Sequence, residues 1–132
     1  MSSNERLERC MSNDAVAQRL FEAIEAGDVG AVRALYSPDA MIWHNTDGIE
    51  QTAEQNLATL AWVIANLTER RYEDVSRSVT DRGFVQQHVM RWTKADGTRA
   101  ELPACIVATC ADGLITRIDE YLDSAHVARI TS

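Results

Sequence analysis

The hydrophobic period of this chain changes once, close to Leu67, and that change limits what the chain can fold into more than any other feature. Before it, apolar residues recur at helical spacing. Val16, Leu20 and Ile24, flanked by Ala17, Phe21 and Ala23, share one face of a helix. Ser12 or Asn13 can cap its start and Gly27 its end. Asp28 then caps a short second helix bearing Val29, Val32 and Leu35, which Ser37-Pro38 stops. Ala40 to His44 reads as a short strand. A third helix is expected from about Glu50 to Leu67, with Ala53, Leu57, Leu60, Ala61, Ile64 and Leu67 on its buried side. From about Glu69 to Asp123 the period falls to two. Asp81-Arg82-Gly83, Ala95-Asp96-Gly97 and Asp112-Gly113 separate four strands as hairpin turns. A short helix over roughly Ser124 to Ile130 is expected to close the end.

Helices gathered in the N-terminal half, followed by a meander, indicate an α+β fold. The expected architecture is a cone-shaped, curved antiparallel sheet wrapped around a long helix, which buries the apolar stripes of all three helices. The 132 residues suffice for one domain, expected over 13–132 behind a flexible extension over 1–12. Thirteen basic against twenty acidic side chains give a formal charge of -7, which disfavours nucleic acid or an anionic membrane surface as partner. No apolar run approaches the roughly 18 residues needed to cross a bilayer. Met1 to Asn13 lacks the apolar stretch of a signal peptide, and Met11 could serve as an alternative start. Cys10, Cys105 and Cys110 form no CxxC and have no nearby His at ligand spacing, so a reduced, cytoplasmic protein is expected, with Cys105 and Cys110 as small buried strand residues.

The informative anomalies are polar residues on apolar faces. In a strand, residues two apart share a face. Glu120 shares its face with Leu114, Ile118 and Leu122, and His88 shares its face with Phe84, Gln86, Met90 and Trp92. His44 shares its face with Ala40 and Ile42. A buried ionisable group pairs, shifts its pKa or faces a cavity. If the three converge, they form an imidazole–carboxylate pair and a second imidazole inside an apolar pocket, which is equipment for acid–base catalysis near neutral pH. The competing reading makes each of them structural: a satisfied core histidine, or a glutamate solvated at a rim. A metal site built from His44, His88 and Glu120 fits in ligand type but has no tight spacing such as HExxH, and no cofactor is indicated. Phe84 and Trp92 either line the pocket or fill the core. Asn45 either orients a ligand oxygen or stabilises an Asn45–Gly48 turn. Trp62 reads as packing beside its helix stripe, and Tyr36 and Tyr72 carry no distinguishing context.

Three segments resemble one known family: Phe21-Glu22-Ala23-Ile24-Glu25-Ala26-Gly27-Asp28, Leu35-Tyr36-Ser37-Pro38-Asp39-Ala40-Met41-Ile42-Trp43-His44, and Asp112-Gly113-Leu114-Ile115-Thr116-Arg117-Ile118-Asp119-Glu120-Tyr121-Leu122-Asp123. Together they resemble the SnoaL-like branch of the nuclear transport factor 2-like superfamily over roughly Asp14 to Ile130. That superfamily includes ketosteroid isomerases, polyketide cyclases, scytalone dehydratase and limonene epoxide hydrolase. The resemblance implies that His44 occupies the place of the isomerases' proton-abstracting carboxylate, where the epoxide hydrolases carry a water-orienting Asn. It implies that Glu120 occupies the place of the epoxide hydrolases' water-activating carboxylate, and His88 that of their arginine.

The departures are as specific. The other acid of the epoxide-hydrolase arrangement falls at Met90 and its tyrosine at Ile42. The isomerases' oxyanion-hole tyrosine falls near Leu20, and their protonated aspartic acid, a standard example of a neutral carboxylic acid donor, falls around Ala104. Neither mechanism transfers unchanged. The resulting expectation is an isomerase-, cyclase- or dehydratase-type enzyme acting on a small hydrophobic carbonyl, polyketide, terpenoid or steroid-like molecule. His44 would act as general base on a C–H beside the carbonyl or on water. His88, held by Glu120, would supply a proton or stabilise oxyanion charge, while Ile42, Asn45, Met90, Trp92, Phe84 and Ala104 would line the pocket. Two alternatives stand beside it: a non-catalytic ligand-binding or assembly module, and an epoxide hydrolase-like water activator with a rearranged site. Val85, Gln87, Val89 and Arg91 lie on the opposite sheet face, whose apolar members suggest a homodimer through that face, as the resemblance also implies.

Overall fold

Helix α1 (Asn13–Ala26) starts where the Ser12 hydroxyl accepts from the Ala15 amide, 3.1 Å away, and ends at Gly27 in the left-handed region. The computed structural model describes residues 11–128; most of the expected 1–12 extension and the end of the C-terminal helix lie outside the described residues. Asp28 caps α2 (Val29–Leu35) through the Ala31 amide. The chain then enters β1 (Tyr36–His44) directly, so Ser37-Pro38 belongs to a strand that begins earlier than its Ala40 start in the sequence reading.

The expected third helix also shifts. Glu50–Thr52 forms a short strand, β2, and α3 spans Ala53–Asn66. The cause is a capping box: Thr52 accepts from the Gln55 amide while the Gln55 side chain accepts from the Thr52 amide. Leu67 lies just past the last helical turn, buried rather than helical. Strands β3 (Thr68–Val79), β4 (Gly83–Thr93), β5 (Arg99–Ala111) and β6 (Leu114–Leu122) follow, and then the short α4 (Ser124–Ala128). Asp112 and Gly113 both take positive φ, 53° and 77°, as a tight hairpin turn between right-twisted strands requires.

The six strands form one curled, unclosed sheet in the order β2-β1-β6-β5-β4-β3. All neighbours are antiparallel except β1 and β6. That parallel pair was not expected. It arises because β1 leaves the sheet through α3 before the meander begins, and a crossover of that kind permits parallel pairing. The helices fill the concave side. The main core joins Val16, Leu20 and Phe21 of α1 to Val32, Leu35, Leu57, Ile106 and Ile115. A smaller cluster of Leu67, Met90, Trp92 and Leu102 closes one end. Arg70 ties the helix ends to the sheet. Its guanidinium donates to the carbonyls of Ile24 and Glu25 at the end of α1, and of Ile64 and Leu67 at the end of α3, at 2.8–3.1 Å. A cation at two helix C-termini satisfies carbonyls that have no partner within their own helices.

Alternation along β4 follows the expected pattern, with Phe84, Gln86, His88, Met90 and Trp92 all buried. Along β6 it breaks. Pairing passes from Thr109–Arg117 to Cys110–Ile115, so Thr116 is bulged and Ile115, not Leu114, is the fully buried residue.

Candidate active site

Register places the chemistry before side chains enter the argument. His44 lies directly opposite Glu120 on the parallel β1–β6 pair. Glu120 faces Ile106, Ile106 faces Gln86, and Gln86 faces Arg77. One row of side chains therefore crosses the sheet, and His88 stands one step further along β4, opposite Ala104. A cavity of about 350 Å³ opens between this row and α1 and α3. His44, His88 and Glu120 all line it, and most of its wall is apolar, with Leu20, Ile24, Leu60 and Ile118 among the lining residues.

His44 Nε2 lies 2.9 Å from Glu120 Oε1, and both side chains are about four-fifths buried, at 18% and 22% exposure. The hydrogen bond to Glu120 raises the His44 pKa above its ordinary 6.5; burial opposes this, and the charges of Glu120 and Asp47 add to it. The carboxylate also reaches across the cavity. Tyr36 and Tyr72 are both held far above the usual phenol range, first by burial and then by the negative charge of Glu120. These phenols stay protonated. The Tyr36 hydroxyl donates a hydrogen bond to Asn56 Oδ1 at 2.7 Å, and the Asn56 amide donates to Gln51.

His88 behaves differently. Only 4% exposed, it is held below the ordinary imidazole value by burial, against the opposing pull of Glu120. Its Nδ1 lies 2.9 Å from Gln86 Nε2, and its ring meets Tyr72 and Phe21 edge-on at 4.6 and 5.3 Å. Glu120 thus holds His44, not His88.

Of the other residues picked out in the sequence, Ile42, Met90 and Ala104 line the cavity, while Phe84, Trp92 and Asn45 do not. Phe84 is a main-core residue, 1% exposed, and Trp92 fills the smaller cluster. Asn45 spends its amide on the backbone: Nδ2 donates to the Leu122 carbonyl, and Oδ1 accepts from the Leu122 amide at 2.7 Å. It continues the β1–β6 ladder beyond the end of the strand. Trp62, read as packing, is 46% exposed and stands on the cavity wall. Tyr36, Tyr72 and Asn56 were not singled out. Asn56 left a signal, because it lies between Ala53 and Leu57 on the buried stripe of α3 and is itself only 5% exposed. Among the described residues, no group of three or more His, Cys, Asp or Glu is arranged to hold a metal ion. No helix among them is long and apolar enough to cross a membrane.

A curled sheet closed by N-terminal helices, with titratable groups on its concave face, can be set beside known proteins. The sequence model of the SnoaL-like domain matches residues 17–118. The chain belongs to the SnoaL-like family. Solved structures agree on its fold. A candidate polyketide cyclase from Xanthomonas campestris pv. campestris is 20% identical, with 99% of this chain and 100% of that one covered and a TM-score of 0.76. A candidate SnoaL-like polyketide cyclase from Shewanella putrefaciens CN-32 is 11% identical, with 90% and 95% covered and a TM-score of 0.75. A hypothetical protein with a ketosteroid isomerase-like fold from Catenulispora acidiphila DSM 44928 is 15% identical, with 80% and 83% covered and a TM-score of 0.70. No curated protein matches the sequence. The SnoaL-like domain thus has a shared scaffold, and its reaction must be argued from its own side chains.

Proposed function

We propose that this SnoaL-like domain is a small-molecule enzyme that moves a proton on a hydrophobic carbonyl substrate of polyketide, terpenoid or steroid-like type, as an isomerase, cyclase or dehydratase. The observation that carries this reading is the 2.9 Å His44–Glu120 pair set in the wall of a largely apolar cavity. The hydrogen bond to Glu120 favours the protonated imidazole, so His44 is the donor of the pair and the Glu120 carboxylate the acceptor, with lone pairs to offer a substrate proton. Its carboxylate takes a proton from the carbon beside the carbonyl: the C–H bond breaks, an O–H bond forms, and the electron pair moves onto the carbonyl oxygen as an enolate. The same carboxyl group then returns the proton at another carbon; or the enolate carbon attacks a second carbonyl to close a ring and the carboxyl proton passes to the new alkoxide; or the enolate electrons form a C=C bond as a β-hydroxyl leaves with the carboxyl proton as water. The apolar wall selects the substrate by burial and withholds competing water. Candidate polyketide cyclases among the structures of the same fold agree with this substrate class.

The test is exchange of α-protons in D₂O across a panel of hydrophobic ketones, followed by proton NMR. Enzyme-dependent deuterium incorporation is the expected result. Tight ketone binding without exchange would convert the site into a binding module. Turnover of an epoxide without ketone exchange would reassign Glu120 to water activation.

We also propose a homodimer through the outer sheet face. Val107 and Tyr121 are 36% and 47% exposed there, and Tyr121 stacks edge-on against Trp43 with ring centres 5.4 Å apart. Arg91 on the same face is neutralised by Glu73, Asp74 and Glu101, so the charge it brings to a contact is already paired. Light scattering after size exclusion at micromolar concentration is expected to give a dimer, and Tyr121→Glu a monomer. A wild-type monomer would overturn this assembly.

A further inference from the structure

Two polar residues, one buried and one partly buried, have no part in the proton transfer above, and both lead to His88. Gln86 is 1% exposed in the middle of β4. Its Oε1 lies 2.9 Å from Arg77 Nη1, directly across the β3–β4 pair, and its Nε2 lies 2.9 Å from His88 Nδ1. Arg77 is anchored in turn on α1, donating from Nε to Asp14 at 2.9 Å and from Nη2 to Gln18 at 3.1 Å.

The donor inventory leaves one arrangement. A guanidinium has only hydrogens to give, so the Gln86 amide must turn its oxygen toward Arg77. Its NH₂ group then faces His88 and donates. The ring nitrogen that receives this bond must offer a lone pair, so Nδ1 carries no proton and the imidazole proton sits on Nε2. Protonating Nδ1 would set two donors against each other in a site with almost no solvent. Nε2 has no hydrogen-bond partner among the described residues, while the ring lines the cavity.

We propose that Arg77 and Gln86 are positioning residues that hold His88 as a neutral imidazole with its Nε2–H presented to the cavity, where it donates a hydrogen bond to the carbonyl oxygen of a bound ligand. The carbonyl part of this statement rests on the function proposed above; the tautomer does not. His88 then supplies an oxyanion donor to the cavity. A neutral N–H set in place in advance stabilises the developing enolate without giving up its proton. The groups facing His88 agree with a neutral ring. Tyr72 of β3 remains a neutral phenol, Phe21 of α1 is apolar, and Arg77 is cationic behind Gln86. Only Glu120 of β6 favours protonation, and burial outweighs it.

Long-range ¹H–¹⁵N NMR on histidine-labelled full-length protein, without ligand, reads the tautomer directly. His88 is expected to show a pyridine-type Nδ1 and a pyrrole-type Nε2 at neutral pH, and to protonate only below the ordinary imidazole value. In Gln86→Glu the new carboxylate keeps the partner Arg77 but can only accept from His88, so Nδ1 is expected to become protonated. A protonated Nδ1 in the wild-type protein, or an unchanged ring in folded Gln86→Glu, overturns the proposal. The two readings fail separately. If the tautomer is as stated and no ketone exchanges, the proton-transfer function falls and the relay stands. If ketones exchange and wild-type Nδ1 is protonated, the relay falls.

Discussion

Glu120→Gln lowers enzyme-catalysed α-proton exchange by about 10²–10⁴-fold, the range associated with loss of a general base, and leaves the protein folded. Glutamine keeps the size of the side chain and can still bond to His44, so the β1–β6 row survives while the proton acceptor does not. A second effect checks the same pair without any substrate. The hydrogen bond to Glu120 is the largest cause of the raised His44 pKa, so in the variant His44 titrates closer to 6.5. A base whose folded-state pKa is raised contributes stability that is complete below its unfolded value and is lost as pH rises through the folded value. The wild-type protein should therefore exceed Glu120→Gln in Tm by more at about pH 6 than at about pH 9, because the pairing favours the charged imidazole, whose population falls as pH rises. An exchange rate within threefold of wild type, or a Tm gap that does not narrow at high pH, would remove the pair from the mechanism.

The residues that carry this prediction were legible in the sequence because β-structure writes burial as parity. His44, His88 and Glu120 each interrupt an apolar face, and the sheet curls those faces toward one cavity. Partner choice was not legible. Whether Glu120 holds His44 or His88 depends on strand order, and the parallel β1–β6 pairing that sets His44 opposite Glu120 comes from a crossover that local periodicity does not encode. The same limit applies to Phe84 and Trp92, which share a face with His88 yet lie beyond the ends of the hollow region. Parity specifies a side of the sheet and says nothing of depth along the strand. Asn45 was misleading for another reason. Its amide has equal chemistry for a ligand oxygen or a backbone, and only the position of Leu122 decides between them. The start of α3 was readable in principle from Thr52 and Gln55, a capping pair that apolar periodicity alone passes over.

Gly83→Ala is expected to be the most damaging single-methyl change among the described residues for which the space around a glycine decides the outcome. A Cβ at this position would sit 1.9 Å from the carbonyl oxygen of Ala108 and 2.8 Å from its carbon. Both atoms belong to the backbone of β5, so no side chain can rotate away. Relief requires β4 to separate from β5 where Gly83 pairs with Thr109, at the end of a ladder that runs unbroken to Thr93. Local bonds go with it, because Cys110 donates to the Arg82 carbonyl at 2.8 Å and Thr80 to that of Gly83 at 2.9 Å. The expected cost is more than about 4 kcal/mol, in the range reserved for strain that cannot relax. At about 4 °C per kcal/mol for a domain of this size, Tm should fall by roughly 15 °C or more. Gly97→Ala is the control. Its φ of 87° is unfavourable for alanine, but nothing lies within 4 Å of the added carbon. It should therefore lose only about 1–2 kcal/mol. Circular dichroism melts of the two variants compare a backbone collision with backbone strain alone. Equal, small losses would mean that β4 can move away from β5 cheaply. The row from Glu120 through Ile106 to Gln86 would then be too loosely held to fix the geometry of His88.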